Sequence, residues 1–431
     1  MNRNHMAGLA VGLACLLARG EALALSLDEA LSRAARAPEV LSSAAGEAAA
    51  EESSKAAGQL PDPRLVLSVD DFMLEGDAQY RFNDSKRMLG VMQEFPAASK
   101  REAERQKAKA ARAESARMRE YAQLAARREV SLLWLELYFL AQKEALLSAN
   151  ANEIKRRQKT SVAALSGGGN PDAALGALLD QQNLDDSIDL LQRDLQLTRA
   201  RLARWIGPLA STEAASGVLP AWAQNAPTAS SGAIVDSPSA PEPGSGTADG
   251  AIAEAAVELR ASQARVQMAQ AELQMAQADK DTDWSMEIGF GQDAMGNAMM
   301  MAKVGVSLPL FSGSRQDPRI AAARAKLAGV EAEHDLRKAE FTRQREELLA
   351  EEAALDAMLR RLAQETLPLL NRGIALAEAA FSGGGGSADM LIKAREQRIA
   401  AQLRAVDLEA ARAAARARLH FLQQRGETHH E

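Results

Sequence analysis

Between Ala97 and Leu165 the chain contains no proline. An uninterrupted helix over that stretch would run roughly 100 Å, at about 1.5 Å per residue. That is too long for an ordinary globular domain and points to a coiled coil or a helical barrel. The stretch is entered through Gly90-Val91-Met92-Gln93-Glu94-Phe95-Pro96-Ala97-Ala98-Ser99-Lys100-Arg101. A strand-like run leads to a proline, then small residues, then a basic residue, then the helical pattern. The same order returns at Gly305-Val306-Ser307-Leu308-Pro309-Leu310-Phe311-Ser312-Gly313-Ser314-Arg315. The offset of about 215 positions, half the chain, indicates an internal duplication. Proline cannot continue a sheet ladder but is tolerated near a helix start. Each stretch therefore reads as a strand-to-helix hinge.

Composition fits long helices better than globules. A length of 431 residues would by itself suggest two or three globular domains. Aromatic residues make up only 4%, and Ala, Leu, Glu, Arg and Gln dominate, as in coiled coils. The net charge of −7 leaves no basic bias, so nucleic acid is not an expected partner. Arg3, the apolar run Met6 to Leu17 and Ala22-Leu23-Ala24 read as a signal peptide over 1–24. That run is too short to span a bilayer as a mature helix. The single cysteine, Cys15, lies inside it. A lipoprotein reading would make Cys15 the mature N-terminus, but Gly12-Leu13-Ala14 fits a lipid-attachment box poorly. Without Cys15 the mature chain has no thiol, which excludes disulfides and thiolate metal sites.

The expected order is a first structural repeat over 25–207, a linker over 208–250, a second repeat over 251–424 and a tail over 425–431. In the first repeat, Leu27 to Ala37 is a short helix stopped by Pro38, and Val40 to Gln59 a second, Ala-rich one. Leu65, Leu67 and Val69 alternate with Val66, Ser68 and Asp70 as a strand, and Lys86 to Phe95 is the return strand. The long helix has an apolar centre from Val130 to Leu140 that reads as packed core. Ser166-Gly167-Gly168-Gly169-Asn170-Pro171 breaks it, and Asp172 opens the next helix. There Leu184, Ile188, Leu191, Leu195, Thr198, Leu202 and Trp205 follow heptad spacing, so the two helices fold back as an antiparallel hairpin. Pro208 to Gly250 is rich in Pro, Ser, Ala and Gly and reads as largely irregular.

The second repeat opens on an Ala/Gln helix from Ala251 to Asp279. Trp284, Met286, Ile288 and Phe290 then alternate with Ser285, Glu287, Gly289 and Gly291. Gly291 to Ala298 reads as a loop, and the return strand alternates from Ala302 through Val306 to Leu310. Asp317 to Phe381 is the second long helix, with a kink expected at Pro368. Ser382-Gly383-Gly384-Gly385-Gly386-Ser387 forms the second tip, and Ala388 to Gln424 the return helix.

Four strands in two separated hairpins cannot close a barrel, yet each has one apolar and one polar or small face. Open edges are costly in water and forbidden in a membrane, where only closed barrels survive. The alternation over about ten residues is that of outer-membrane strands. It demands that several copies pool their strands. Ile288 and Val306 are expected to face lipid, and Glu287 and Ser307 the lumen.

At this point the residues resemble a family. Leu27-Asp28-Glu29-Ala30 with Ala37-Pro38-Glu39, Gly305 to Arg315, Thr366-Leu367-Pro368 and Ala379-Ala380-Phe381-Ser382-Gly383, in that order and with the twofold repeat, are similar to the TolC-like outer-membrane channels. Those channels are the exit ducts of tripartite efflux pumps. The resemblance implies a mainly α fold with a membrane β-barrel: a homotrimer with a 12-stranded barrel in outer-membrane lipid and a 12-helix periplasmic tube. It implies a periplasmic adaptor (membrane fusion protein) and an inner-membrane pump as partners. Gln93-Glu94-Phe95-Pro96 with Lys100-Arg101 resembles the heavy-metal (Czc/Cus-type) branch, which implies metal cations as cargo.

The resemblance also assigns function to the tips. Gly167, Gly168, Gly169, Asn170, Pro171 and Asp172, with Gly383, Gly384, Gly385, Gly386 and Ser387, would close the tube and meet the adaptor. These tips depart from the family's one-glycine turn. Asp172 also reads as a helix N-cap. Asp389 reads either as a cap or, by its family position, as one of three carboxylates constricting the lumen and favouring cations.

Met295, Met299, Met300 and Met301, with Met88 and Met92, are either soft ligands suited to Cu(I) or Ag(I) or plain lipid-facing and loop side chains. No His/Asp/Glu set has metal-ligand spacing. No nucleophile motif, P-loop or dinucleotide fingerprint occurs. No cofactor and no enzymatic activity are expected. The rival reading is a periplasmic coiled-coil adaptor or scaffold, which should carry one hairpin between lipoyl-like and β-barrel segments rather than a duplication.

Overall fold

The structure is a computed structural model that describes residues 24–71, 85–165, 171–208, 214–215, 217–224, 256–293, 295–383 and 388–424. In chain order its elements are β1 (Ala24–Leu25), α1 (Leu27–Ala34), α2 (Pro38–Ala56), β2 (Arg64–Asp70) and β3 (Lys86–Phe95). Then come α3 (Ala98–Leu165), α4 (Pro171–Ile206), β4 (Ala214–Ala215), α5 (Ala221–Gln224) and α6 (Val257–Ala278). The chain continues through β5 (Trp284–Gln292), β6 (Ala298–Val306), α7 (Gln316–Arg361), α8 (Leu367–Ser382) and α9 (Ala388–Leu422). A π turn, Leu362–Thr366, joins α7 to α8 just before Pro368, where the sequence predicts the kink. Among the described residues no helix is long and apolar enough to cross a membrane.

Two compact units share the chain. One draws on Met1–Ala37, Ala125–Val235 and Glu347–Phe421, the other on Pro38–Leu124, Asp236–Glu346 and Leu422–Glu431.

The first unit is held by helix packing. Trp134 is fully buried, stacks on Tyr138 at 5.5 Å and donates its indole N–H to the Leu25 carbonyl at 2.8 Å. A buried indole needs such an acceptor. Leu184, Leu191, Leu195, Thr198 and Leu202 bury the heptad seam of α4 as its spacing predicts. Ser26 caps α1 by accepting the Glu29 N–H at 3.2 Å, while Pro38 opens α2, where its missing N–H costs nothing. The stretch expected to be irregular carries some order. Ala24 and Leu25 pair in parallel with Ala214 and Ala215, and Trp222 on α5 stacks on His420 at 5.4 Å. Arg416, buried, ties α5 down by donating to the Gln224 carbonyl at 2.6 Å while pairing with Glu352 at 2.7 Å. Arg416 is compensated further by Asp356 at 3.2 Å, so its buried charge has partners on more than one side.

The second unit contains a four-stranded antiparallel sheet in the order β2-β3-β5-β6. Its register sorts the side chains cleanly. Leu65 stands beside Val91, Ile288 and Ala302, and Leu67 beside Leu89, Phe290 and Met300, while at the far end Val69 is followed by Arg87, Gln292 and Ala298. Trp284 and Met286 extend the same face beside Val306 and Val304. This apolar face is uncovered: Leu67 is 79% exposed and Phe290 65%. Ile288 and Val306 share it, while Glu287 lies on the other face. Ser307, expected to sit in the return strand, falls one residue past β6, where its N–H donates to the Asp283 carbonyl at 2.9 Å. The strand thus begins four residues earlier than the alternation suggests and takes in Met299–Met301. Beside the sheet, α6 packs through small side chains, Ala261, Ala264, Ala269 and Ala271, which allow close helix approach. Leu259 and Phe341 fill a small apolar cluster there.

Leu202 is fully buried in the seam. Leu202→Ala should lower stability by about 2–5 kcal/mol, read as urea unfolding of the detergent-solubilised protein. A change within about 0.5 kcal/mol, as for a surface site, would contradict the packing described.

Candidate functional site

The other face of the sheet is polar. Arg64, Met92, Glu287 and Lys303 stand side by side across the four strands. The next rows are Val66, Gly90, Gly289 and Met301, then Ser68, Met88, Gly291 and Met299, then Asp70 and Lys86. Its charges are matched locally: Arg64 lies 3.4 Å from Glu94 and Lys303 3.9 Å from Glu287. Space is tightest at two of the sheet's glycines, and at Gly291 the obstacle is backbone. A Cβ on Gly291 would lie 2.0 Å from the Arg87 carbonyl oxygen, and one on Gly305 would lie 2.6 Å from Ser285 Oγ.

Beyond the β5–β6 hairpin, Asp293 organises the turn. Its carboxylate accepts the N–H groups of Met295 at 2.9 Å and Asn297 at 2.8 Å and the Asn297 side-chain amide at 2.9 Å. Those donors hold it below the usual carboxylate range, the Asn297 side chain contributing most. Gly296, at φ +85°, supplies the left-handed residue of the turn.

The tips are described only in part. Gly167, Gly168, Gly169 and Asn170, and Gly384, Gly385, Gly386 and Ser387, lie outside the described residues. Pro171 opens α4, and Gly383 follows α8, donating its N–H to the Ala379 carbonyl at 3.0 Å. Asp172 and Asp389 fall in the first turns of α4 and α9, but their side chains lie outside the described residues.

A cleft of about 670 Å³ opens in the second unit between α3, α6 and α7, lined by Arg117, Gln263, Gln267, His334, Lys338 and Thr342. His334 Nδ1 lies 2.7 Å from Ser262 Oγ. Burial first, and then Lys338, push its imidazole below the ordinary histidine value, against an opposing pull from Asp335. Glu120 neutralises much of the wall, at 2.6 Å from Arg260 and 3.1 Å from Arg117. Among the described residues no group of three His, Cys, Asp or Glu could hold a metal ion.

Both hinges predicted from sequence converge on one residue that the sequence did not single out. Asp283 precedes β5. Its carboxylate accepts the Ala97 N–H at 2.9 Å and pairs with Lys100 at 2.6 Å, which fixes the β3–α3 hinge. Its backbone N–H donates to Ser307 Oγ at 3.2 Å and its carbonyl accepts the Ser307 N–H at 2.9 Å, which fixes the exit from β6. Lys280–Asp317 at 2.5 Å adds a second tie to the start of α7. The one available signal was an acidic residue just before a strand whose partner hinge carries Lys100. Burial alone would raise the Asp283 carboxyl, but the Lys100 and Ala97 donors outweigh it and hold it below the ordinary value.

Asp283→Ala should therefore cost about 1–2 kcal/mol at pH 7, the pair being partly exposed. A depressed carboxyl contributes stability that is present above the unfolded-state value of about 3.9 and is lost as pH falls through the lower folded value. The stability gap between wild type and variant should accordingly close in that acid range. A gap that stays constant down to the acid end would contradict the charged clamp.

No protein-family model and no curated protein sequence matches the chain. Solved structures do. The outer membrane protein VceC of Vibrio cholerae superposes with a TM-score of 0.72 at 16% identity, over 93% of this chain and 97% of that one. The Campylobacter jejuni CmeC outer membrane channel gives 0.75 at 11% identity, over 94% and 87%. The Neisseria gonorrhoeae MtrE outer membrane channel, in its open state, gives 0.69 at 15% identity, over 93% and 89%. Long helices, the four-stranded antiparallel sheet and the near-complete coverage of both chains agree: the chain has the fold of these outer-membrane channels.

Proposed function

We propose that the chain is the outer-membrane exit duct of a tripartite efflux system, passively passing substrate from periplasm to exterior. The observation that carries this reading is the sheet: a continuous uncovered apolar face, a polar opposite face, and an edge strand at each end, β2 and β6. Such a sheet suits lipid on one side and water on the other only if its edges are paired. β2 and β6 run antiparallel to one another, so copies joined edge to edge continue an all-antiparallel barrel. The likeness to outer-membrane channels supports three copies, with twelve strands in the membrane and the helices on the periplasmic side. A periplasmic adaptor and an inner-membrane pump are the corresponding partners, and heavy-metal cations the proposed cargo. The halves 25–207 and 251–424 are read as repeats joined by the linker 208–250. A passive duct needs no catalytic group, and the chain is read as not an enzyme. The rival adaptor reading gives no role to an apolar face that none of the described residues covers.

The tips, Gly167 to Asp172 and Gly383 to Ser387, are proposed to meet the adaptor. Glycines permit sharp turns but hold them loosely, which suits an end that dilates on docking. Asp389 is proposed to point inward with its two symmetry mates. Water and counterions screen their repulsion over about 8 Å at physiological salt.

Detergent-extracted protein should be trimeric, and a folded, monodisperse monomer would contradict the barrel. Ile288→Arg should cost about 2–4 kcal/mol in the membrane, whereas Ser68→Arg, on the polar face, should cost far less. Equal assembly defects would reverse or void the assignment of faces. Asp389→Ala should leave trimers intact and weaken the block of single-channel conductance by multivalent cations in planar bilayers. Unchanged block would leave Asp389 as a helix cap only.

A further inference from the structure

The polar face of the sheet has an unexpected middle. Its outer rows are charged: Arg64, Glu287 and Lys303 on one side, Asp70 and Lys86 on the other. Between them lie two rows without a charged side chain: Val66, Gly90, Gly289 and Met301, then Ser68, Met88, Gly291 and Met299. Met88 and Met299 flank Gly291 from β3 and β6, and Met301 flanks Gly289 from β6. The glycines leave the central strand bare. Met88 and Met301 lean over it from opposite sides: Met88 Cγ lies 2.7 Å from where a Cβ of Gly291 would stand, and Met301 Cε lies 3.5 Å from that of Gly289. Met88 is only 7% exposed, and Met299 and Met301 are half-buried.

Strands two apart are separated by about 10 Å, a gap that unbranched thioether chains bridge when no side chain stands between them. Met286 and Met300 lie on the opposite, apolar face, where methionine is simply one more apolar residue. Methionines gathered over glycines on a water-facing surface have a different chemistry. Thioethers are soft, neutral donors that do not protonate, and they select monovalent soft cations over Mg²⁺, Ca²⁺ or Zn²⁺.

We propose that Met88, Met299 and Met301 form a thioether site for a soft monovalent cation, Ag(I) or Cu(I), on the polar face of the sheet. The proposal rests on the duct reading only in making that face a wetted wall. No redox step is involved, because the ion binds and leaves in the +1 state.

The test uses silver nitrate in chloride-free buffer with the full-length, detergent-solubilised protein. Bound silver is counted by mass spectrometry of the metal after gel filtration, and the ligand atoms are read by silver K-edge X-ray absorption. Wild type should retain about one ion per chain, with sulfur as the nearest shell. The triple variant M88L/M299L/M301L, which keeps the apolar volume, should fall to background, while M286L/M300L should match wild type. If the triple variant does not fold, M299L and M301L singly should each lower retention. Wild type that retains no silver, or equal retention in the inner-face and outer-face variants, overturns the site and leaves these methionines as filler over glycine. A protein that conducts but binds no silver loses this proposal alone. One that binds silver but forms no trimer or channel loses the duct reading alone.

Discussion

Everything about the sheet follows from the fact that a backbone amide or carbonyl taken from water must find a partner. β3 and β5 satisfy theirs on both sides, and β2 and β6 only on one. The outward side chains of the same strands remove the option of leaving those edges in water, because Leu65, Leu67, Phe290 and Val304 together make an uncovered apolar surface. Apolar face and open edge are separate demands, and the proposed closure within lipid would meet both. A helical chain with no membrane-spanning helix among its described residues can thus be an integral membrane protein through four short strands.

Each strand pair leads into a long helix, β3 into α3 and β6 into α7. Pro96 directly follows the last residue of β3, and Pro309 stands three positions past the end of β6 at Val306, so neither strand can run on and both exits are abrupt. Abrupt exits need a brace. Asp283 braces both at once, with a carboxylate toward Ala97 and Lys100 and a backbone toward Ser307. Two hinges more than 200 positions apart in sequence are therefore not independent, since one residue holds both.

Much of this was legible from sequence where a pattern had a strong physical period. The heptad leucines of α4 are buried, β3 runs from Lys86 to Phe95 as read, and the alternation of Trp284 to Phe290 marks the exposed face. The reading was weaker where the side chain does not report its surroundings. Met299-Met300-Met301 alternates faces, but three thioethers in a row show no polar–apolar contrast, so the start of β6 was missed. The two-residue bridge between Ala24–Leu25 and Ala214–Ala215 is too short to carry a period. Trp222, a lone aromatic in a Pro/Ser stretch, was the available clue that the linker docks somewhere. Asp283 was missed because its partners are distant in sequence. The glycine tips were read as breaks from composition alone, and Gly383 closes α8 where that reading put it.

The π turn between Arg361 and Leu367 has its own consequence. A π turn is one residue inserted into an α-helix, and it rotates everything downstream by about 100° about the axis. The stripe that α8 buries through Ile374 and Ala377 is therefore out of phase with that of α7, though the two read as one continuous helix. Phase along this helix is set by residue count and not only by residue type. A single-residue deletion near Gln364 would leave every side chain unchanged in kind and yet turn the buried stripe of α8 toward the outside. In this segment, insertions and deletions are thus more damaging than substitutions.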